Sequence, residues 1–192
     1  MTALATRDRL IDKALDLFYQ HGFHAIGIDR VIKEVGVTKT TLYNHFDCKD
    51  DLILAVVQKR DAWWRKTFRG EIRRRGGTDP IAQLRAVFDV LQYWFGTPDF
   101  HGCLFINAAC EFPSPHDLAH QAAKANVDAI RAIIAELAEQ AGFAQSGEFA
   151  RQLNLLIEGA IVTEVIDRDG KAAETAKQVA HALIQHHLTA SI

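Results

Sequence analysis

The residues whose types and spacing could do chemistry fall in three places. The first is Lys39, Thr40, Thr41, Tyr43, Asn44 and His45, followed by Lys49. Its first six members offer donors, acceptors, one aromatic ring and one full positive charge, with no carboxylate among them. Such a surface hydrogen-bonds base edges and phosphate oxygens. The second is the segment His101–His120. There Cys103, Asn107, Cys110, Glu111, His116 and His120 lie among Trp94, Phe95, Phe100, Phe105 and Phe112. Aromatic walls with a few polar anchors are the usual make-up of a small-molecule site. The expected ligand contacts are Trp94, Phe95, Cys103, Phe105, Asn107, Cys110 and Glu111. The third is His116-Asp117-Leu118-Ala119-His120. On one helix it would set two imidazoles at i and i+4, similar to the zinc-protease pair H-E-x-x-H. Such pairs arise often by chance, and aspartate reaches less far than glutamate. No metal, cofactor or catalytic residue is therefore assigned. The alternative function is a helical enzyme or a redox or metal sensor using His101, Cys103, Cys110, His116 and His120.

The elements that must position the first set are short. Ile28, Val31, Ile32 and Val35 share one helical face. Gly36 ends that helix, Val37 plugs the corner, and Thr38 caps a second helix over about 39–45. Leu42 points inward and Phe46 closes the end. A short exposed helix set at an angle by a glycine turn suits the DNA major groove. Ahead of it, Thr6 is read as the cap of a helix over 7–21, with Leu10, Ala14, Leu17 and Phe18 inward. Residues 1–5 are read as a frayed tail. Behind it, Asp47 is expected to cap a long helix towards Arg75, with Asp50 completing a capping box. Trp63, Trp64 and Phe68 are expected on its buried face. Lys49 in that first turn opposes the helix dipole unless an anion is present, so it reads as a phosphate clamp.

Net charge is −2, but its distribution is uneven. Residues 1–76 hold 15 Lys+Arg against 10 Asp+Glu, and residues 77–192 hold 7 against 14. A basic N-terminal module joined to an acidic remainder fits one part facing phosphates and another with a different task. Three cysteines without disulfide spacing favour a reducing cytosol. No signal peptide and no membrane span is expected.

Further along, Asp79-Pro80 starts a helix to about Phe95, and 101–112 reads as a short apolar helix. Ser114-Pro115 is expected to start a helix reaching about Gln140. Two last helices, 147–168 and 171–189, are too apolar for one protomer's interior. They are expected to dock on their copies as a four-helix interface through Leu153, Ile157, Ile161, Val165, Ala176, Ala180 and Leu183. The fold class is all-α, with about nine helices. A helix-turn-helix DNA-binding domain at 1–50 precedes a larger effector-binding and dimerisation domain at 51–192.

At this point the chain resembles the TetR family of bacterial transcriptional regulators. The resemblance rests on Leu17-Phe18-Tyr19-Gln20-His21-Gly22-Phe23, then Gly36-Val37-Thr38-Lys39-Thr40-Thr41-Leu42-Tyr43-Asn44-His45-Phe46, then Lys49. It covers about residues 7–55. One departure is Gly27, where the family often has a threonine that caps the helix and touches phosphate. The resemblance implies a cytoplasmic homodimer on a palindromic double-stranded operator, released by a small-molecule effector. It also implies that Thr41, Tyr43 and Lys49 hold phosphate, while Lys39, Thr40 and Asn44 face bases, with His45 between.

Overall fold

The computed structural model describes residues 3–189. Nine helices and no strand form among the described residues. They are α1 (Ala3–His21), α2 (Ile28–Val35), α3 (Lys39–Tyr43), α4 (Lys49–Gly76), α5 (Pro80–Phe95), α6 (Leu104–Glu111), α7 (Leu118–Gln140), α8 (Ser146–Asp167) and α9 (Ala172–Thr189). They divide into two compact units. One holds the chain up to Trp63 together with Cys103–Asn126, and the other holds Trp64–Gly102 with the chain from Val127 onward.

In the first unit, α1 packs on α2 through Leu10, Ile11, Ala14, Leu17 and Phe18, all buried. The larger of these, Leu10, Ile11, Leu17 and Phe18, each contribute about 1.5–3 kcal/mol by leaving water. Helix α1 starts at Ala3, not after a Thr6 cap, so Thr6 lies inside it. Residues 1–2 of the expected tail lie outside the described residues. The α2–α3 corner is set by local chemistry. Gly36 takes the left-handed conformation at φ 75. It lets the N–H groups of Gly36 and Val37 both reach the Ile32 carbonyl, at 2.9 and 3.1 Å. Thr38 then accepts from the Thr41 N–H at 3.2 Å, a cap worth about 0.5–2 kcal/mol.

In the second unit, α5, α8 and α9 pack together. Asp79 caps α5, accepting from the N–H groups of Ile81 and Ala82 at 3.2 and 3.0 Å. Lys177 on α9 pairs with Asp89 on α5 at 2.6 Å. The inner stripe of α8 is Leu153, Ile157, Ala160 and Ile161, each buried in the protomer.

Three further boundaries, besides that of α1, differ from expectation. Helix α4 starts at Lys49, and its first turn is closed by Asp51 in place of Asp47 and Asp50. Asp51 Oδ2 accepts from the N–H groups of Asp47 and Cys48 at 3.1 and 3.2 Å. Helix α6 is shorter than 101–112. Helix α7 starts at Leu118, because Ser114 spends its groups on a turn. Its hydroxyl accepts from the His116 N–H, and its carbonyl accepts from the Asp117 N–H. Trp63 is 50% exposed, with the Arg60 guanidinium stacked on it at 4.3 Å, so it is not a core residue. No helix among the described residues is long and apolar enough to cross a membrane.

Candidate nucleic-acid interface

Helix α3 is only five residues long and ends at Tyr43, with Asn44 as its C-cap, two residues short of the expected His45. A helix this short does not stand alone in water. Leu42, fully buried, and Phe46, 4% exposed, anchor it from beneath. The opposite face is presented by that anchoring. Lys39, Thr40, Tyr43 and Asn44 are exposed, and Thr41 and His45 are half-buried. Tyr43 shows 44% of its surface to solvent.

Several polar groups at this face already have partners. The Thr41 hydroxyl shares a hydrogen bond with that of Thr38 at 2.8 Å, which orients it. Lys39 reaches back to Asp29 on α2 at 3.5 Å, an exposed pair that a phosphate or base can displace cheaply. Arg7 lies over the Phe46 ring at 5.1 Å, beside His45. Arg9 donates to the Val35 carbonyl at 2.7 Å and so fastens the end of α2.

Lys49 is more occupied than its expected role as a phosphate clamp requires. Its ammonium donates to the Phe23 carbonyl at 2.7 Å. The same charge lies 6.0 Å from the centre of the Phe18 ring. An ammonium has three donors, and this bond uses one.

The residues expected at a ligand site fall in different units. Trp94 and Phe95 belong to an aromatic cluster of the second unit. Trp94 packs 5.0 Å from Trp64 and edge-on to Phe100 at 5.1 Å, and Phe95 lies 4.9 Å from Phe100. Cys103, Phe105, Asn107, Cys110 and Glu111 belong to the first unit. Phe105 is buried there, Cys103 and Asn107 are half-buried, and Cys110 is exposed. Burial lowers the Arg60 pKa, an effect its neighbours Tyr19 and Cys103 partly offset.

Glu111 is already engaged within the protein. Its carboxylate is not held out for a ligand, because it accepts from the N–H groups of Phe23 and His24 at 3.0 and 2.7 Å. Nor does the expected imidazole pair form on one helix face. His116 sits in the turn before α7, and His120 Nδ1 donates to the Phe112 carbonyl at 2.8 Å. No group of three or more His, Cys, Asp or Glu among the described residues is arranged to hold a metal ion.

Most of the expected dimer face is covered by its own protomer. Leu153, Ile157, Ile161, Ala176 and Ala180 are buried within the protomer, and Leu183 is half-buried. They cover α8 and α9 from inside. Of that set only Val165, at 39%, is exposed. The apolar residues left in water are Leu155, Val162, Ile166 and Val179, with Leu155 at 70% and Ile166 at 72%. Beside them lies a groove of about 370 Å³ floored by Gly159, Ala160, Thr163 and Ala176. Periodicity did not separate these faces because α8 is apolar around most of its circumference.

A short capped helix held up by two others, with an outward face of donors and no carboxylate, defines a helix-turn-helix regulator of transcription. The model of the tetR family of bacterial regulatory proteins matches residues 10–56. That of the tetracyclin repressor-like C-terminal domain matches residues 80–180. The chain belongs to the TetR family. A TetR-family transcriptional regulator from Streptomyces coelicolor shares 32% identity and a TM-score of 0.84, with 95% of this chain and 96% of that one covered. The HTH-type transcriptional activator FasR of Mycolicibacterium smegmatis is 42% identical over 53 residues. The HTH-type transcriptional regulator UidR of Escherichia coli is 34% identical over 55 residues. These two matches span 28% and 29% of this chain, and only 24% and 28% of the curated relatives' own length.

Proposed function

We propose that this TetR-family regulator is a ligand-responsive repressor that acts in the cytoplasm as a homodimer on a palindromic operator and is released by a small-molecule effector. The DNA-binding domain is residues 1–50, and the effector-binding and dimerisation domain is residues 51–192. The observation that carries the reading is the exposed face of α3, anchored by Leu42 and capped by Thr38. Lys39, Thr40 and Asn44 read base edges there. Thr41, Tyr43 and one of the remaining Lys49 donors hold phosphate, with His45 between the two roles.

The homodimer forms through the outer face of α8 and α9, with Leu155, Val162, Val165, Ile166 and Val179 meeting their copies. A two-fold axis places the same patch on both sides, so each ridge meets the other protomer's groove. The aromatic cluster around Trp94 and Phe95 supplies the apolar surface for the effector.

A gel shift of the purified protein on DNA from upstream of its own gene tests the reading, with a reporter for the sign of regulation. Specific retardation with repression supports it. Retardation with activation, the sign FasR's name carries, corrects the sign alone. Absence of any preference for the upstream DNA overturns the function.

A further inference from the structure

The corner between α1 and α2 is built as an anion receptor. Gly22, at φ 86, turns the chain so that the next two N–H groups reach the same side. Successive N–H groups arranged in this way form a concavity for negative charge. That concavity is filled from within the protein. The N–H of Phe23 donates to Glu111 Oε1 at 3.0 Å, and that of His24 donates to Oε2 at 2.7 Å. A Cβ at position 22 would stand 3.1 Å from Oε1, so glycine serves both the turn and the close approach. The His24 ring adds a third bond, its Nε2–H donating to the Glu111 carbonyl at 2.9 Å. Phe112 then packs 4.8 Å from the His24 ring and edge-on to Phe23 at 5.6 Å.

Residue 23 is held at its other end as well. Its carbonyl accepts from Lys49 Nζ at 2.7 Å. Lys49 opens α4, six residues after the last residue of α3. One residue is therefore gripped at its N–H by the end of α6 and at its C=O by the first residue of α4. All of these groups lie in one compact unit.

We propose that Glu111 is a positioning residue for the reading helix. Its carboxylate fixes the α1–α2 corner and, through Phe23 and Lys49, the seat of α3. The inference rests on the DNA-binding reading above and names a control point within it. A displacement of α6 either drags the corner along or empties the receptor. Both outcomes tilt the face that carries Lys39, Thr40 and Asn44. Base contacts require fixed register in two half-sites at once, whereas nonspecific phosphate contacts do not.

The test uses the full chain with Glu111→Gln and Glu111→Asp. Gln keeps the size but turns a donor towards an N–H, and Asp keeps the charge on a side chain one methylene shorter. Fluorescence anisotropy at one salt concentration measures affinity for the upstream DNA and for an unrelated duplex, with folding checked by circular dichroism. The expected result for E111Q is unchanged affinity for unrelated DNA and a loss of about tenfold on the upstream site, the worth of one base contact. E111D falls between E111Q and wild type, and the Phe23 and His24 amides exchange faster in E111Q.

A folded E111Q with wild-type affinity for both duplexes overturns the proposal. So does an equal loss on both with no recovery in E111D. If E111Q does not fold, E111D decides alone, and a specificity ratio equal to that of wild type overturns the proposal. A wild-type protein that does not distinguish the two duplexes refutes the DNA-binding reading instead, so the two failures remain distinct.

Discussion

Gly22 and Gly36 share nearly the same left-handed backbone, at φ 86 and 75, yet alanine should cost different amounts at the two. At Gly36 a Cβ meets no described atom within 4 Å, so only the backbone strain applies. That strain is about 1–2 kcal/mol. At Gly22 the same strain is joined by a Cβ 3.1 Å from Glu111 Oε1. The carboxylate must retreat and weaken its bonds to the Phe23 and His24 N–H groups. Hydrogen bonds to a charged group are worth about 1.5–3 kcal/mol each. A retreat of a few tenths of an ångström weakens these bonds without breaking them, and the His24 bond is exposed and counts for less, so crowding adds about 1 kcal/mol. Gly22→Ala should therefore cost about 2–3 kcal/mol, roughly 1 kcal/mol more than Gly36→Ala. Urea denaturation followed by circular dichroism measures both. One protomer concentration must be used throughout, because association stabilises the folded state by mass action. Repeating Gly22→Ala in a Glu111→Ala background isolates the crowding, and the cost there should fall to that of Gly36→Ala. Equal costs for the two glycines, or a Gly22→Ala cost indifferent to Glu111, would refute the receptor as the reason for glycine at 22.

Tyr43→Ala should leave stability within about 0.5 kcal/mol, because the ring is exposed, while weakening operator binding in a gel shift. Lys49→Ala should weaken both, since it also removes the bond to the Phe23 carbonyl. If Lys49 and one further cation each neutralise a phosphate in every protomer, log affinity against log salt should slope about −3 to −4, and Lys49→Ala should make that slope shallower. Leu155→Glu and Ile166→Glu should yield folded monomers by analytical ultracentrifugation, whereas Leu153→Glu should prevent folding. Dimers in the first two variants would refute the assigned face. His187 packs on Phe143 and Phe149 and lies 3.2 Å from the Gln152 side chain. Burial, reinforced by His186 and opposed by Glu148, lowers its pKa. The folded state thus disfavours the proton that the unfolded chain accepts near pH 6.5. This contribution to stability is full above that value and is lost as pH falls towards the folded pKa. Denaturation midpoints across pH 5 to 8 should show that decline, and His187→Phe should flatten it.

Where neighbouring residues settled the conformation, the fold was legible before any coordinates. Gly36 and Thr38 specify the α2–α3 corner through bonds spanning at most five residues, and Asp79-Pro80 starts α5 in the same way. Ser114-Pro115 carries a similar signature and starts no helix. There Asp117 N–H is taken by the Ser114 carbonyl, and His120 closes on Phe112, which is itself packed against Phe23 and His24. The role of Glu111 was hidden for a related reason, since its partners lie 88 and 87 positions away. No local pattern marks a carboxylate that will be spent on distant backbone. The outer face of α8 was hidden differently. Hydrophobic spacing shows that a helix has apolar sides, not which side its own chain covers.

The brevity of α3 carries a consequence for how such a protein changes over time. Its fixed position comes from the buried Leu42 and Phe46 and from the Thr38 cap, whose hydroxyl is spent on the Thr41 N–H. Lys39, Thr40 and Asn44 can therefore be exchanged for other polar side chains at little risk to folding. Recognition can drift to a new target sequence while the scaffold stays intact, and a laboratory library confined to those three positions should recover altered preferences with undiminished thermal tolerance.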